Sequence, residues 1–297
     1  MTKPFIAVDW GTTSFRAYRV DEAGVVVEQR SDSEGILAVK DGGFEQVLEK
    51  HLAGWDVSLP VVAAGMITSR QGWVELPYVD CPAGPTELAT SIHVKQLTSG
   101  RAVHFLTGLH LASASLGHDV MRSEETQVFG SLDTGATHFV TPGTHSKWID
   151  VEAGRITNFA TYITGETYAV LHKHSILGRL MVNDKDDEAS FLRGVEMAFS
   201  DPAGLLHSLF SVRSLGLYNA IAPEHLSSYL SGLVIGTEVA HAISSRDAKA
   251  SYLVLASPGI GGKYISAMQT AGLKVTMGDP LAIVKGEAIV AHAAGVI

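Results

Sequence analysis

Asp9, Gly11, Thr12, Thr13 and Ser14 place a carboxylate, a glycine and three consecutive hydroxyls directly after an apolar run that ends at Val8. Backbone N–H groups and hydroxyls presented by a tight turn hold an anion such as a phosphate, and a carboxylate beside them holds magnesium through water. An ordinary hairpin whose hydroxyls satisfy its own turn would read the same way. A second stretch, Gly143, Thr144, His145 and Ser146, repeats the Gly-Thr-x-Ser order. A third set, Gly259, Gly261 and Gly262, follows the apolar run 251–256 and precedes a helix expected to begin near Lys263, where free N–H groups point at a ligand. Glu124 and Glu125 open the helical run 126–132, either as caps on its dipole or as a general base. Arg70, in a polar loop that ends at Trp73, has the planar fork that grips a carboxylate, unless it is simply a surface arginine.

These groups need elements to carry them. Residues 5–8 form a buried strand, 15–20 a returning strand and 25–30 a third, a meander punctuated by Glu22-Ala23-Gly24. Phe44, Val47, Leu48 and Leu52 share one face of a helix, and the strand 59–64 then delivers the loop that bears Arg70. Residues 86–131 read as a helix, a strand at 102–106, a polar elbow and a further helix. The span 138–161 then repeats the opening meander, and Glu152-Ala153-Gly154 matches Glu22-Ala23-Gly24 at nearly the same offset. Two meanders with matching turns indicate a duplicated domain. A helical region at 188–211 and an amphipathic helix at 223–244, whose Leu226, Tyr229, Leu230, Leu233 and Val234 are assigned to packing, complete the second half.

The 297 residues are enough for two domains, each with its own core. A net charge of −9 argues against broad binding to nucleic acid or anionic membrane, and no apolar run approaches membrane-spanning length. The start of the chain carries no signal-peptide core, and the single cysteine, Cys81, reads as a small buried hydrophobe in a reducing cytoplasm. Several motifs fail. Residues 257–264 lack the first glycine and the Ser or Thr of a P-loop, and they lack the third glycine of a Rossmann fingerprint. None of the thirteen histidines sits in a recognised metal-binding pattern, and His172 and His174 point to different helix faces.

Taken together, the two hairpins and the late glycine-rich element resemble the phosphate and adenosine loops of the actin, sugar-kinase and heat-shock-chaperone superfamily. Within it the chain resembles, end to end, the 2-dehydro-3-deoxygalactonokinase family. The stretches that carry this are 9–18, 65–73 with 81–84, 124–127, the Thr-Pro-Gly-Thr-His-Ser-Lys-Trp run at 141–148, and 164–166. The first is common to many sugar kinases, whereas the run at 141–148 is much more particular to this family. Ser123 departs from the glycine expected before Glu124.

The resemblance implies an α/β protein of two duplicated ribonuclease-H-like domains with an interdomain cleft. Residues 1–132 would bind the sugar acid and the first phosphate loop, and 133–280 the second phosphate loop and adenosine, with a helix at about 281–297 packing back on the first. It implies ATP-dependent phosphorylation of the C6 hydroxyl of 2-dehydro-3-deoxy-D-galactonate, with Mg2+ as the metal, a small-molecule acceptor and a cytoplasmic location, and it leaves room for a homodimer. Asp9 would organise the metal. Gly11, Thr12, Thr13, Gly143 and Thr144 would hold phosphates, and Gly259, Gly261 and Gly262 would admit the nucleoside. Arg70, Gln71, His145, Lys147 and Glu166 would serve the substrate, and Glu124 or Glu125 would be the base. A kinase for another sugar acid, or a non-catalytic binder of nucleotide or sugar acid, are the alternative readings.

Overall fold

The computed structural model describes residues 3–112, 117–244, 246 and 249–297. They form two compact units, one made of Met1–Gly135, Ile149–Phe159 and Asp279–Ile297, the other of Ala136–Trp148 and Ala160–Gly278.

The first unit opens with β1 (Phe5–Trp10), β2 (Phe15–Val20) and β3 (Val26–Asp32), an antiparallel meander. Helix α1 (Phe44–His51) leads to β4 (Val61–Ala64), which lies parallel to β1 with Asp9 opposite Ala64. Then come β5 (Val79–Asp80), α2 (Pro85–Ala89), β6 (His93–Gln96), β7 (Ala102–Phe105), β8 (Leu109–Leu111), β9 (Asp119–Met121) and α3 (Glu124–Phe129). The main sheet runs β3-β2-β1-β4-β7-β6. Residues of β1 are buried almost throughout, as a central strand covered on both faces requires. Trp10, Phe15, Phe44, Leu48 and Phe105 fill one side, and Trp10 meets Phe15 edge-on at 5.0 Å.

After α3 come β10 (His138–Thr141), β11 (Ser146–Glu152) and β12 (Arg155–Tyr162), of which residues 149–159 group with the first unit, and then, in the second unit, α4 (Thr164–His174), α5 (Glu188–Ser200), α6 (Leu205–Leu217) and α7 (Leu226–Ile243). The chain ends through β13 (Ser251–Val254), α8 (Pro258–Thr270), β14 (Lys274–Met277) and α9 (Ala282–Ala293), the last belonging to the first unit and packed on α3, β1 and β4. The sheet order is β12-β11-β10-β13-β14. Both sheets therefore place their third, second and first strands in a row and add parallel strands beyond the first. This is the duplication that the two Gly-Thr-x-Ser turns announced. Helices α5 and α7 approach backbone to backbone, because a Cβ on Gly194 or Gly232 would meet a main-chain oxygen of the other helix at 2.3 or 1.9 Å.

Four local expectations change. The helical region at 188–211 is two helices, broken where Pro202 removes a donor and Gly204 precedes α6. Helix α8 starts at Pro258, a favoured first-turn residue, so Gly259, Gly261 and Gly262 lie within its opening turns and not before it. Glu124 and Glu125 likewise begin α3 itself, ahead of Thr126. The small sheet β5-β8-β9 was not anticipated, since strands of two or three residues show no periodicity.

Candidate active site

The first hairpin turns tightly, with the N–H of Gly11 donating to the Ser14 carbonyl at 2.9 Å. Thr12 is half-buried and Thr13 exposed. A strap at 33–37 braces the turn from behind. Ile36 and Leu37 donate to the carbonyls of Gly11 and Thr12, and a Cβ on Gly35 would lie 2.4 Å from the backbone of Thr12 and Thr13. Only glycine fits there. Gly65, with φ of +103°, makes the matching approach to the Trp10 backbone.

Asp9 ends the buried run of β1 and is 16% exposed. The Arg16 guanidinium lies 3.3 Å away on β2. Burial pushes the Asp9 carboxyl up; Arg16 opposes this, the Glu124 charge reinforces it and a Ser123 hydroxyl contact moderates it. Beneath it sits Glu287 of α9, wholly buried, with no side-chain hydrogen-bond partner on either oxygen. Burial and then the Asp9 charge push Glu287 well above the usual carboxylate range, with the backbone of Val8 and Ala64 counteracting weakly. This concentration of hard oxygen donors, under-neutralised by one arginine, suits a divalent cation.

Ser123 stands where a glycine was expected, and it adopts the glycine conformation with φ of +91°. The kink lets two amides meet the two acids: the Arg122 N–H donates to Glu124 at 2.9 Å and the Ser123 N–H to Glu125 at 3.0 Å. The acids then diverge. Glu125 is fully buried, its Oε1 also accepts the Thr126 hydroxyl, and burial pushes its carboxyl up to about 7. Glu124 is half-buried and close enough to Asp9 for their charges to interact. A base must reach the proton it takes, so exposure favours Glu124.

Arg70 and Gln71 are exposed at the end of the loop after β4. The neighbouring buried arginine is Arg122, which donates to Thr68 Oγ1 and the Leu76 carbonyl and lies 4.3 Å over the Tyr78 ring. Arg122 therefore holds the Arg70 loop in place.

In the second unit Gly143, Thr144 and His145 are exposed at the turn between β10 and β11. The start of α4 is docked on them. Glu166 N–H donates to the Thr144 carbonyl, the Glu166 carboxylate pairs with His145 Nε2 at 2.7 Å, and a Cβ on Gly165 would meet the Gly143 oxygen at 2.3 Å. Lys147 is buried, its ammonium 3.2 Å from the His145 carbonyl, which braces the same turn. Behind lies Glu238 of α7. Its carboxylate accepts from Ser146, Trp148 and Tyr264 at 2.7, 2.7 and 2.6 Å, and from Thr164.

At the opening of α8, Gly259 and Gly262 face open space, whereas a Cβ on Gly261 would meet Met277. Gly259 and Gly262 line a cavity of about 240 Å³ with Asp186, Lys263 and Ser266, in which Lys263 pairs with Asp186 at 2.7 Å. The sequence reading missed Glu238, Glu287 and Gly35. A lone acid in each mainly apolar helix was the available signal for the first two.

Residues 9–289 match a family model described as 2-keto-3-deoxy-galactonokinase. The chain is 33% identical to the 2-dehydro-3-deoxygalactonokinase of Escherichia coli over 99% of both chains. It is 34% identical to a Rhizobium meliloti protein provisionally named for the same activity, over 93% of this chain and 92% of that one. A crystal structure of a Sinorhizobium meliloti protein, provisionally assigned as a 2-dehydro-3-deoxygalactonokinase, superposes with a TM-score of 0.87 at 33% identity, covering 98% of each chain. The activator of 2-hydroxyisocaproyl-CoA dehydratase from Clostridium difficile, solved with ADPNP, superposes with a TM-score of 0.53 at 13% identity over 99% and 96% of the chains, which shows the fold alone.

Proposed function

The chain belongs to the 2-keto-3-deoxy-galactonokinase family, and from that premise we propose that it moves the terminal phosphoryl group of ATP to the C6 hydroxyl of 2-dehydro-3-deoxy-D-galactonate. It is a sugar-acid kinase of galactonate breakdown. The sugar oxygen forms a bond to the γ-phosphorus, the bond from that phosphorus to the bridging oxygen breaks, ADP leaves, and the hydroxyl proton passes to a carboxylate. Glu124 takes that proton. Its partial exposure beside Asp9 is the observation that carries this assignment.

Asp9 supplies oxygens suited to a magnesium ion. Magnesium, when bound, neutralises charge on the phosphate oxygens. Gly11, Thr12 and Thr13 offer amides and hydroxyls to phosphate, as do Gly143 and Thr144. Gly259 and Gly262 leave room for the nucleoside, and Gly261 keeps α8 against Met277. Arg70, with Gln71, grips the substrate carboxylate, while the His145–Glu166 pair and Lys147 set the charge and shape of the second turn. In functional terms residues 1–132, completed by the helix at about 281–297, handle the sugar acid and metal, and 133–280 handle the nucleotide.

Among the described residues no helix is long and apolar enough to cross a membrane, and with one cysteine we place the protein in the cytoplasm. Leu206, Phe210, Leu217 and Tyr218, exposed along and just past α6, support a homodimer; sedimentation should show a dimer that dissociates in Phe210→Glu.

The test is ADP release from purified protein with ATP, Mg2+ and a panel of sugar acids. ADP should form with 2-dehydro-3-deoxy-D-galactonate at a kcat/KM well above that for its C4 epimer. No ADP with this acid would overturn the proposal.

A further inference from the structure

Helix α7 carries a single acid, Glu238, in an apolar sequence, and the fold buries it to 3% exposure. An isolated carboxylate there would be costly, yet this one is met by donors from three different elements. Ser146 and Trp148 belong to β11 immediately after the exposed Gly143–His145 turn, and both donate to Oε1. Tyr264 belongs to α8, five residues after Gly259 and two after Gly262, and donates to Oε2. Thr164 is the first residue of α4, whose next two residues press on the same turn.

We propose that Glu238 is a positioning residue that fixes the register of the Gly143–His145 turn against the glycine-bearing start of α8, so that one bound nucleotide meets both. The reason is geometric. Besides the Lys147 ammonium on the His145 carbonyl, the turn is held by backbone and exposed side-chain contacts, and α8 by apolar packing and the exposed Lys263–Asp186 pair, none of which spans from the turn to α8. A carboxylate with its two oxygens committed to different elements converts that packing into a fixed distance. Ser146, shared by both Gly-Thr-x-Ser turns in type, is spent on this tie in the second one. The assignment rests on reading this unit as the nucleotide half.

The test compares Glu238→Leu, Glu238→Gln and Tyr264→Phe by steady-state kinetics and by amide exchange, with Gly262→Leu as a control. Glu238→Leu should raise the KM for ATP about tenfold and lower kcat by about 10², as a displaced binding element does, with the sugar-acid KM unchanged. Glu238→Gln should restore both to within about threefold, because its amide oxygen still accepts from Ser146 and Trp148 while its NH2 donates to the Tyr264 oxygen. Tyr264→Phe, which leaves Oε2 one donor short, should raise the ATP KM by a few-fold. Exchange at residues 143–146 should speed up in Glu238→Leu and stay unchanged at residues 11–14.

Wild-type exchange at 143–146 and wild-type ATP kinetics in folded Glu238→Leu would overturn the proposal. So would equal rises in both KM values. If Glu238→Leu does not fold, an unchanged ATP KM in Tyr264→Phe with no rescue by Gln overturns it. Should Gly262→Leu leave the ATP KM unmoved, the nucleotide assignment of this unit fails, while faster exchange at 143–146 still establishes the tie.

Discussion

The two Gly-Thr-x-Ser hairpins are the same backbone device with opposite electrostatics. Behind the first, the mostly buried Asp9 lies close to the fully buried Glu287, whose oxygens take no side-chain donor and only weak contacts from the Val8 and Ala64 backbone. Behind the second, Glu238 is equally buried but satisfied by four donors. A carboxylate left short of positive charge is costly, and folds retain such sites where a ligand supplies what is missing. A satisfied carboxylate instead ties elements together. On our proposal the first hairpin accepts a cation and the second keeps a shape, although their turns are nearly identical in sequence.

The comparison breaks most readily at Glu124. If Glu124 is the base, Glu124→Gln should lower kcat by about 10²–10⁴ with little change in the KM for ATP, while Glu125→Gln stays within a few-fold of wild type. Equal losses in the two variants, read by ADP release, would remove the distinction drawn from burial. Arg70→Ala is the next largest. A bidentate grip on the substrate carboxylate contributes on the order of 2 kcal/mol, so the sugar-acid KM should rise about thirtyfold at constant ATP KM.

Glu125 gives a stability test. Its folded carboxyl is raised from 4.5 to about 7, so ionising it costs more in the folded chain than in the unfolded one. The contribution is intact below about pH 4.5 and is lost as pH rises to about 7, by at most about 3 kcal/mol. Glu125→Gln should therefore be relatively more stable at pH 8 than at pH 4.5, as read by denaturant unfolding at both values. The smallest effect is at Ser123. Replacing it with glycine relieves a φ of +91° and should stabilise the fold by about 1 kcal/mol, visible as a rise in Tm.

What the sequence disclosed follows from range. The hairpins, α1 and α7 were legible because turn residues and apolar periodicity act over a few positions. Gly143-Thr144 announced itself by copying Gly11-Thr12. Glu238 and Glu287 were not legible, since an acid in an apolar helix has no stated role until the fold brings Ser146 or Asp9 to it across 92 and 278 residues. Gly35 was hidden for the same reason: its need for no side chain comes from the Thr12 backbone pressed against it. Ser123 looked like a departure and proved to keep the glycine geometry. Lys147 was expected to serve the substrate with positive charge, and the structure buries it with its ammonium on the His145 carbonyl.

The most direct measurement is the dependence of kcat on free Mg2+ at saturating ATP in wild type, Asp9→Asn and Ser146→Ala. The half-saturating Mg2+ concentration should rise at least about tenfold in Asp9→Asn, an effect of about 1.4 kcal/mol, and remain at the wild-type value in Ser146→Ala. An unchanged Mg2+ dependence in Asp9→Asn, or an equal rise in both variants, would contradict the assignment of the cation to the first hairpin.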